Sequence, residues 1–378
     1  MSQSLITPST ASNYKVECIS SVDRFQALES EWNRLASNFA SPLLRHEWFA
    51  AAIRAFLHRS ELAVFVAKAP DGSIHAIAPL VFKREGKFSC LRVLGHEVPE
   101  PAGFLYDDDK ALKIVIDALI RRGLPFEMRG FRTASKETTE LSRARTPRAL
   151  RFVLPNVASS TWARLEKSGD ALEAKMSASR LRELRRQHKQ ASQIGPFAFE
   201  AIAPTEANLA ANLERLFEVE ASGWKARERT AIAADGQMRE FYTSYARLTA
   251  RLGILRFFFL TIGGETAAAI MGVQYAKRIW SLKIGYRESL AKCSPGLMLQ
   301  HNTIRTACDL GLEGYEFLGG SEPWQERWPH AKHGYSTILS YPLSPSGLYF
   351  FFRASGSALG RRVGSLLTTR SARKAQRL

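Results

Sequence analysis

Apolar residues recur along this chain in two rhythms, one near period two and one near period 3.6, and the changes of rhythm mark its elements. The clearest succession spans residues 255–328. Residues 255–262 are an apolar run, Gly263-Gly264 is a turn, 265–275 returns, and 278–286 is a third extended segment. Ser294-Pro295-Gly296 then opens a helix over 297–310, which stops at Gly311. A short strand over 315–318 leads through Gly319-Gly320 into an acid-and-aromatic cluster, Ser321 to Trp328.

The first part of the chain runs through a similar order. A strand over 14–19 precedes a helix carrying Phe25, Leu28, Trp32 and Leu35, with Asp23 as the expected N-cap. A second helix follows Ser41-Pro42 and passes through Trp48, Ile53 and Phe56. Strands over 62–67 and 74–82 flank the turn Pro70-Asp71-Gly72; 91–94 is a strand, 111–121 a helix and 126–129 a strand. In the second part, helices over 209–221 and 238–252 precede the hairpin. The repeated order predicts a duplicated α/β unit. Residues 132–155, basic and broken by prolines, are expected to connect the two. A basic helix lies within 165–194, ended by Gly195-Pro196; 197–202 and 335–343 are strands, and 348–367 has an amphipathic helical pattern. The expected domains are therefore 14–155, 156–347 and a basic C-terminal helix and tail, 348–378.

Length fits this division, since 378 residues are long for one core. The longest apolar runs are too short to cross a bilayer, and residues 1–14 lack the apolar core of a signal peptide. Cys18, Cys90, Cys293 and Cys308 have no paired spacing, which points to reduced thiols, a cytoplasmic location and no zinc site. His330 and His333 lie three apart, but no Asp or Cys nearby completes a ligand set. The net charge of +17 is concentrated: residues 361–378 hold six basic residues and no acid, and Arg180, Arg182, Arg185, Arg186 and Lys189 form a second cluster. Such fields suit anionic partners or serve as a solvated surface. The tail is expected to meet an anionic membrane face or another partner.

Ser294, Gly296, Leu297 and Met298 form a start signal for a helix, with Pro295 in its first turn. Backbone N–H groups there favour a phosphate or an ordinary cap. Cys293 beside them has no His partner in the sequence and reads as an unreactive thiol.

In order, Trp32, Ser41-Pro42, Trp48, Ala78-Pro79-Leu80, Ser222-Gly223-Trp224-Lys225, Ser294-Pro295-Gly296-Leu297, Gly311 and Tyr315-Glu316-Phe317-Leu318-Gly319-Gly320, with Glu322 and Trp328, resemble the cellulose-biosynthesis-type acyltransferases. That group belongs to the GNAT superfamily and is similar to the Fem aminoacyltransferases. The resemblance covers roughly residues 20–342. It implies an α/β (α+β) fold of two tandem GNAT-like domains, each a twisted mixed sheet flanked by helices, and transfer from acetyl-CoA or another acyl-CoA to a small-molecule or glycan acceptor. It puts the donor pyrophosphate at residues 294–298 and the thioester between 280–286 and 315–318. Two positions depart from the pattern. Gln325 stands where such proteins carry Lys, leaving Lys332 or Arg327 as substitutes, and Tyr286-Arg287 replaces Tyr-Asp.

Direct acyl transfer needs a base, oxyanion donors and an acid for the leaving thiolate. Glu322 is the candidate base, beside Trp324 and Trp328, and alternatively a surface carboxylate; Tyr286 is the candidate acid or a packing residue. Trp224, Lys225, Arg227, Trp324, Gln325 and Trp328 are expected to line the acceptor site. A Fem-type enzyme would instead take charged tRNA as donor, with the basic helix as phosphate contact. A third reading is a catalytically degenerate pair acting in assembly or at a membrane surface.

Overall fold

The structure, a computed structural model, describes residues 14–144, 148–222 and 235–356. Its elements are β1 (Lys15–Ile19), α1 (Val22–Gln26), α2 (Glu29–Ala36), α3 (His46–Phe56), β2 (Ser60–Lys68), β3 (Ile74–Glu85), β4 (Phe88–Val93), β5 (Leu105–Tyr106), α4 (Asp109–Arg121), β6 (Phe126–Arg132) and α5 (Lys136–Arg143). They continue with β7 (Ala149–Arg164), α6 (Gly169–Ala174), α7 (Ala178–Ile194), β8 (Phe197–Ile202), α8 (Glu206–Ala221), α9 (Gly236–Arg251), β9 (Leu255–Ile262), β10 (Glu265–Tyr275) and β11 (Arg278–Tyr286). Last come α10 (Pro295–Asp309), β12 (Gly314–Glu316), β13 (Ala331–Pro342) and α11, residues 345–356.

The strands form one sheet in the order β1-β2-β3-β4-β6-β13-β7-β12-β11-β10-β9-β8, with β5 beside β3. Read from either edge inward, the order is the same: four antiparallel neighbours, then a parallel partner, β6 on β4 and β12 on β11. The two hairpins predicted from sequence, β2–β3 and β9–β10, occupy equivalent places. The duplicated α/β unit is thus present, as two halves of a continuous mixed sheet.

The halves exchange strands at the centre. β7, which follows the first unit in sequence, lies against β12 of the second; β13, which ends the second unit, lies against β6 of the first. β7 and β13 pair with each other along eleven positions, with a register shift near Asn156, whose φ is +53°. Residues 132–155 are therefore not a linker: they contain α5 and half of β7. Their arginines and prolines mask a strand whose apolar residues alternate as Leu150, Phe152 and Leu154.

Burial explains the unbroken apolar run of β9. Phe257 and Phe259 enter the larger core while Phe258, Leu260 and Ile262 enter the second, so both faces of the strand are covered. Each such side chain contributes about 1.5–3 kcal/mol. The larger core joins the units, because Trp48 of α3 stands edge-on to Phe241 and Tyr245 of α9, with ring centroids 4.8 and 5.0 Å apart. Trp32 is fully buried and donates its indole N–H to the Leu44 carbonyl at 2.9 Å. The N-cap of α1 is Ser21, whose hydroxyl accepts from the Arg24 amide, and Asp23 falls inside the first turn. Residues 223–234 and 357–378 lie outside the described residues, and with them the predictions for Trp224, Lys225, Arg227 and the basic tail.

Candidate active site

Each parallel strand pair is short and then divides. β4 and β6 pair only at Leu91–Phe126 and Arg92–Glu127; β11 and β12 pair only from Arg278–Gly314 to Trp280–Glu316. Beyond those rungs each pair opens. A cleft of about 420 Å³ occupies the first division and reaches toward the second. Its wall includes Trp48 and Phe49 of α3, Val93 at the end of β4 and Leu94 to His96 after it, Glu127 and Arg129 of β6, Val157 and Ala158 of β7, Tyr335 and Thr337 of β13, and Gly319.

The segment after β4 carries Glu100 into this cleft. Pro99 and Pro101 fix the backbone around it, and the Ala102 amide donates to the Gly130 carbonyl at 2.9 Å. Gly130 is required there: its φ is +78°, and a Cβ would come within 3.1 Å of the Glu100 carbonyl oxygen. From the other unit, Leu318 and Gly319 both take left-handed conformations, φ +55° and +58°, which brings the Gly319 N–H to 3.3 Å from Glu100 Oε2. Desolvation pushes the Glu100 carboxyl up to about 7, against the opposing pull of Lys283 and the Gly319 amide. Lys283 projects from the divided part of β11, its Nζ 4.7 Å from the Tyr242 ring centre. A carboxyl balanced near neutrality thus stands where the two units meet. His96 nearby is pushed down to about 4 by burial, Arg92 and Lys83, so it is neutral at pH 7. The Glu127 carboxylate is held by Arg92 at 2.9 Å and by the Tyr341 hydroxyl at 3.0 Å.

Apolar groups stand beside the second division. Ile284, Tyr286, Leu297 and Trp324 are partly buried against a core containing Phe317, Trp328 and Met298. Below it lies a polar cluster in which Ser281 and Gln300 flank the Tyr315 hydroxyl, pushed up to about 12 by burial.

Gly296 begins α10 against Tyr286, where an added Cβ would meet the ring at 3.3 Å. Ser294 is left-handed, φ +49°, and its hydroxyl makes no capping bond; its carbonyl instead accepts from the Leu297 and Met298 amides at 3.0 and 3.1 Å. The Leu297 and Met298 amides, expected as phosphate donors, are therefore engaged, and the Gly296 N–H has no acceptor among the described residues.

Glu322 is exposed and outside the cleft. Its side chain caps the short helix Pro323–Arg327 in a box with Gln325. Gln325 is buried, accepts from the Glu322 amide at 2.9 Å and donates to the Gly320 carbonyl at 3.3 Å. It pins the Gly319-Gly320 loop, a role that a solvent-seeking Lys would fill poorly. The proposed substitutes are engaged: Arg327 pairs with Glu183 at 2.5 Å and Lys332 with Glu326 at 3.1 Å. Trp324 and Trp328 pack on Phe317, each ring 5.8 Å away. Among the described residues no group of three His, Cys, Asp or Glu is placed to hold a metal ion; His333 instead stacks on Trp162.

Sequence reasoning passed over Glu100. Its signal was a carboxylate between two prolines in a stretch with neither helical nor strand period.

Comparisons with known proteins agree with this architecture. The family model described as acetyltransferase (GNAT) domain matches residues 178–326, the stretch holding β8 to β12 and the second division. The chain is similar in structure to FemX, at 11% identity and TM-score 0.56, covering 87% of this chain and 97% of that one. It is also similar to L-PGS from Bacillus licheniformis (12% identity, TM-score 0.50, 84% and 91% covered). The C-terminal DUF2156 domain of a protein described as a lysylphosphatidylglycerol synthetase from Agrobacterium fabrum is a further likeness (11%, 0.52, 88% and 96%). Comparison with curated proteins returned no match. The chain carries a GNAT acetyltransferase domain, and its enzyme class is that of an acyltransferase. The likenesses do not single out the cellulose-biosynthesis group.

Proposed function

We propose that this acyltransferase moves an acyl group from acyl-CoA, acetyl-CoA in the simplest case, to an amine or hydroxyl of an envelope- or polysaccharide-related acceptor in the cytoplasm. The acceptor occupies the cleft, and the acyl chain lies in the apolar division between β11 and Phe317. The Gly296 amide and the N-terminal end of the 15-residue α10 favour the donor's phosphates. The Glu100 carboxylate takes the acceptor's proton as its N or O attacks the thioester carbon; the new C–N or C–O bond forms, the C–S bond breaks, and the thiolate leaves. Tyr286, half-buried beside Gly296, is the candidate donor of a proton to that sulfur.

The observation that carries this reading is the Glu100 carboxyl, near neutrality at the junction of the two divisions. The test is Glu100→Gln assayed with acetyl-CoA and a panel of amine and hydroxyl acceptors. Turnover should fall roughly 100-fold with little change in acetyl-CoA affinity. Unchanged turnover would overturn the assignment.

A second reading, charged tRNA as donor, is favoured by α7. Arg182, Arg185, Arg186 and Lys189 lie along one exposed face, with no ion-pair partner among the described residues. Salt-sensitive tRNA binding without acetyl-CoA binding would support it.

A further inference from the structure

Most of the exposed large apolar side chains among the described residues belong to β7 or to residues 343–352, while Val22, Ile194, Phe197, Leu252 and Leu310 lie elsewhere. Leu150, Phe152 and Leu154 alternate along β7 and face the same way, beside the register partners Tyr341 and Leu339 of β13. Helix α11 lies on this face, with the Phe351 ring stacked over Phe152 at 6.0 Å and 8°. Its outer residues Leu348 and Phe352 are 39% and 66% exposed. The edge of β7 over residues 149–154 has no strand partner other than β13 among the described residues. Exposed apolar side chains gathered on neighbouring elements in this way mark an interaction site.

Charge identifies its partner. Residues 141–165 and 327–378, which supply β7 and everything from β13 onward, contain no Asp or Glu. They hold five arginines and nine Lys or Arg respectively, of which Arg327, Lys332 and Arg353 pair with Glu183, Glu326 and Glu85. Arg148, next to the start of β7, and Arg143, at the end of α5, stand exposed with no ion-pair partner among the described residues. A second copy set on the same face would bring two cationic rims together, whereas an anionic lipid surface neutralises one. Lys and Arg near such a surface are drawn to its anionic headgroups, and the apolar row adds insertion into the headgroup layer.

We propose that this face, built from β7 and α11, docks the protein peripherally on an anionic bilayer. No helix among the described residues is long and apolar enough to cross a membrane, so the contact is a surface one. The row runs along β7 toward Val157, which lines the cleft, so docking sets the cleft mouth near the lipid surface. The proposal stands on patch and charge, and does not depend on the acyl-transfer reading.

The test is sedimentation of the full chain with phosphatidylcholine vesicles, with and without phosphatidylglycerol. Binding is expected only with phosphatidylglycerol and should weaken in high salt. The double variant Leu348→Glu/Phe352→Glu should lower the partition coefficient at least ~10-fold. Its melting temperature should stay unchanged, because both side chains are exposed. If that variant is destabilised, Arg143→Glu/Arg148→Glu gives a second reading of the same surface, with the same loss expected. Absence of binding, equal binding to neutral vesicles, or undiminished binding by folded variants would overturn the proposal. So would a concentration-dependent dimer that these variants abolish without any vesicle binding.

Discussion

Glu100 titrates near 7 in the folded protein because desolvation outweighs Lys283 and the Gly319 amide. As the base it must be ionised, so kcat/KM should rise with pH through about 7, and Glu100→Gln should lose that limb. The same shift acts on stability. The folded pKa is above the ordinary value of 4.5, so between about 4.5 and 7 the folded chain binds the extra proton and loses stability as pH rises. Glu100→Gln should therefore raise the thermal midpoint above pH 7, by an amount worth roughly 1–3 kcal/mol, with no such gain below pH 4. A stabilised but inactive variant would mark a residue kept for function. Glu322→Ala should do the opposite: it removes a cap at about 0.5–2 kcal/mol, and turnover of the folded protein should stay within a few-fold of wild type.

At the scale of the element, α10 and the Gly319-Gly320 loop are set by their neighbours. Gly296→Val should raise the acetyl-CoA dissociation constant at least ~10-fold, about 1.4 kcal/mol. Its Cβ also presses on Tyr286, so the comparison belongs in a Tyr286→Ala background, measured by calorimetry. Wild-type affinity in the folded double variant would put the phosphates elsewhere. Gln325→Leu removes both bonds that hold the loop and leaves the Glu322 amide and Gly320 carbonyl without that partner, at about 1–3 kcal/mol. Thermal melts should register that loss, and turnover should fall with it, since the loop carries the Gly319 amide to Glu100.

For the whole molecule, the exchange of β7 and β13 makes each unit depend on the other's strand. The shared core through Trp48, Phe241 and Tyr245 adds to this coupling. Heat or urea should therefore unfold the chain in one transition, with tryptophan fluorescence and far-ultraviolet circular dichroism superimposing. Two separated midpoints would mean that the units are independent despite the common sheet.

Local pattern alone determined much of this protein. The β2–β3 and β9–β10 hairpins, β11, α4 and α10 follow from period, Gly turns and helix breakers, because those signals act within a few residues. The duplicated order of elements followed from them. The strand exchange did not, since the partners of β7 and β13 lie 169 to 193 residues apart and no local rhythm specifies them. That long-range pairing turned an apparent linker into the centre of the sheet. It also decided the chemistry of the carboxylates. Glu322 has the better motif yet caps a turn at the surface, whereas Glu100, without a motif, is desolvated by groups from both units. A pKa is a property of surroundings, and only the tertiary structure supplies them.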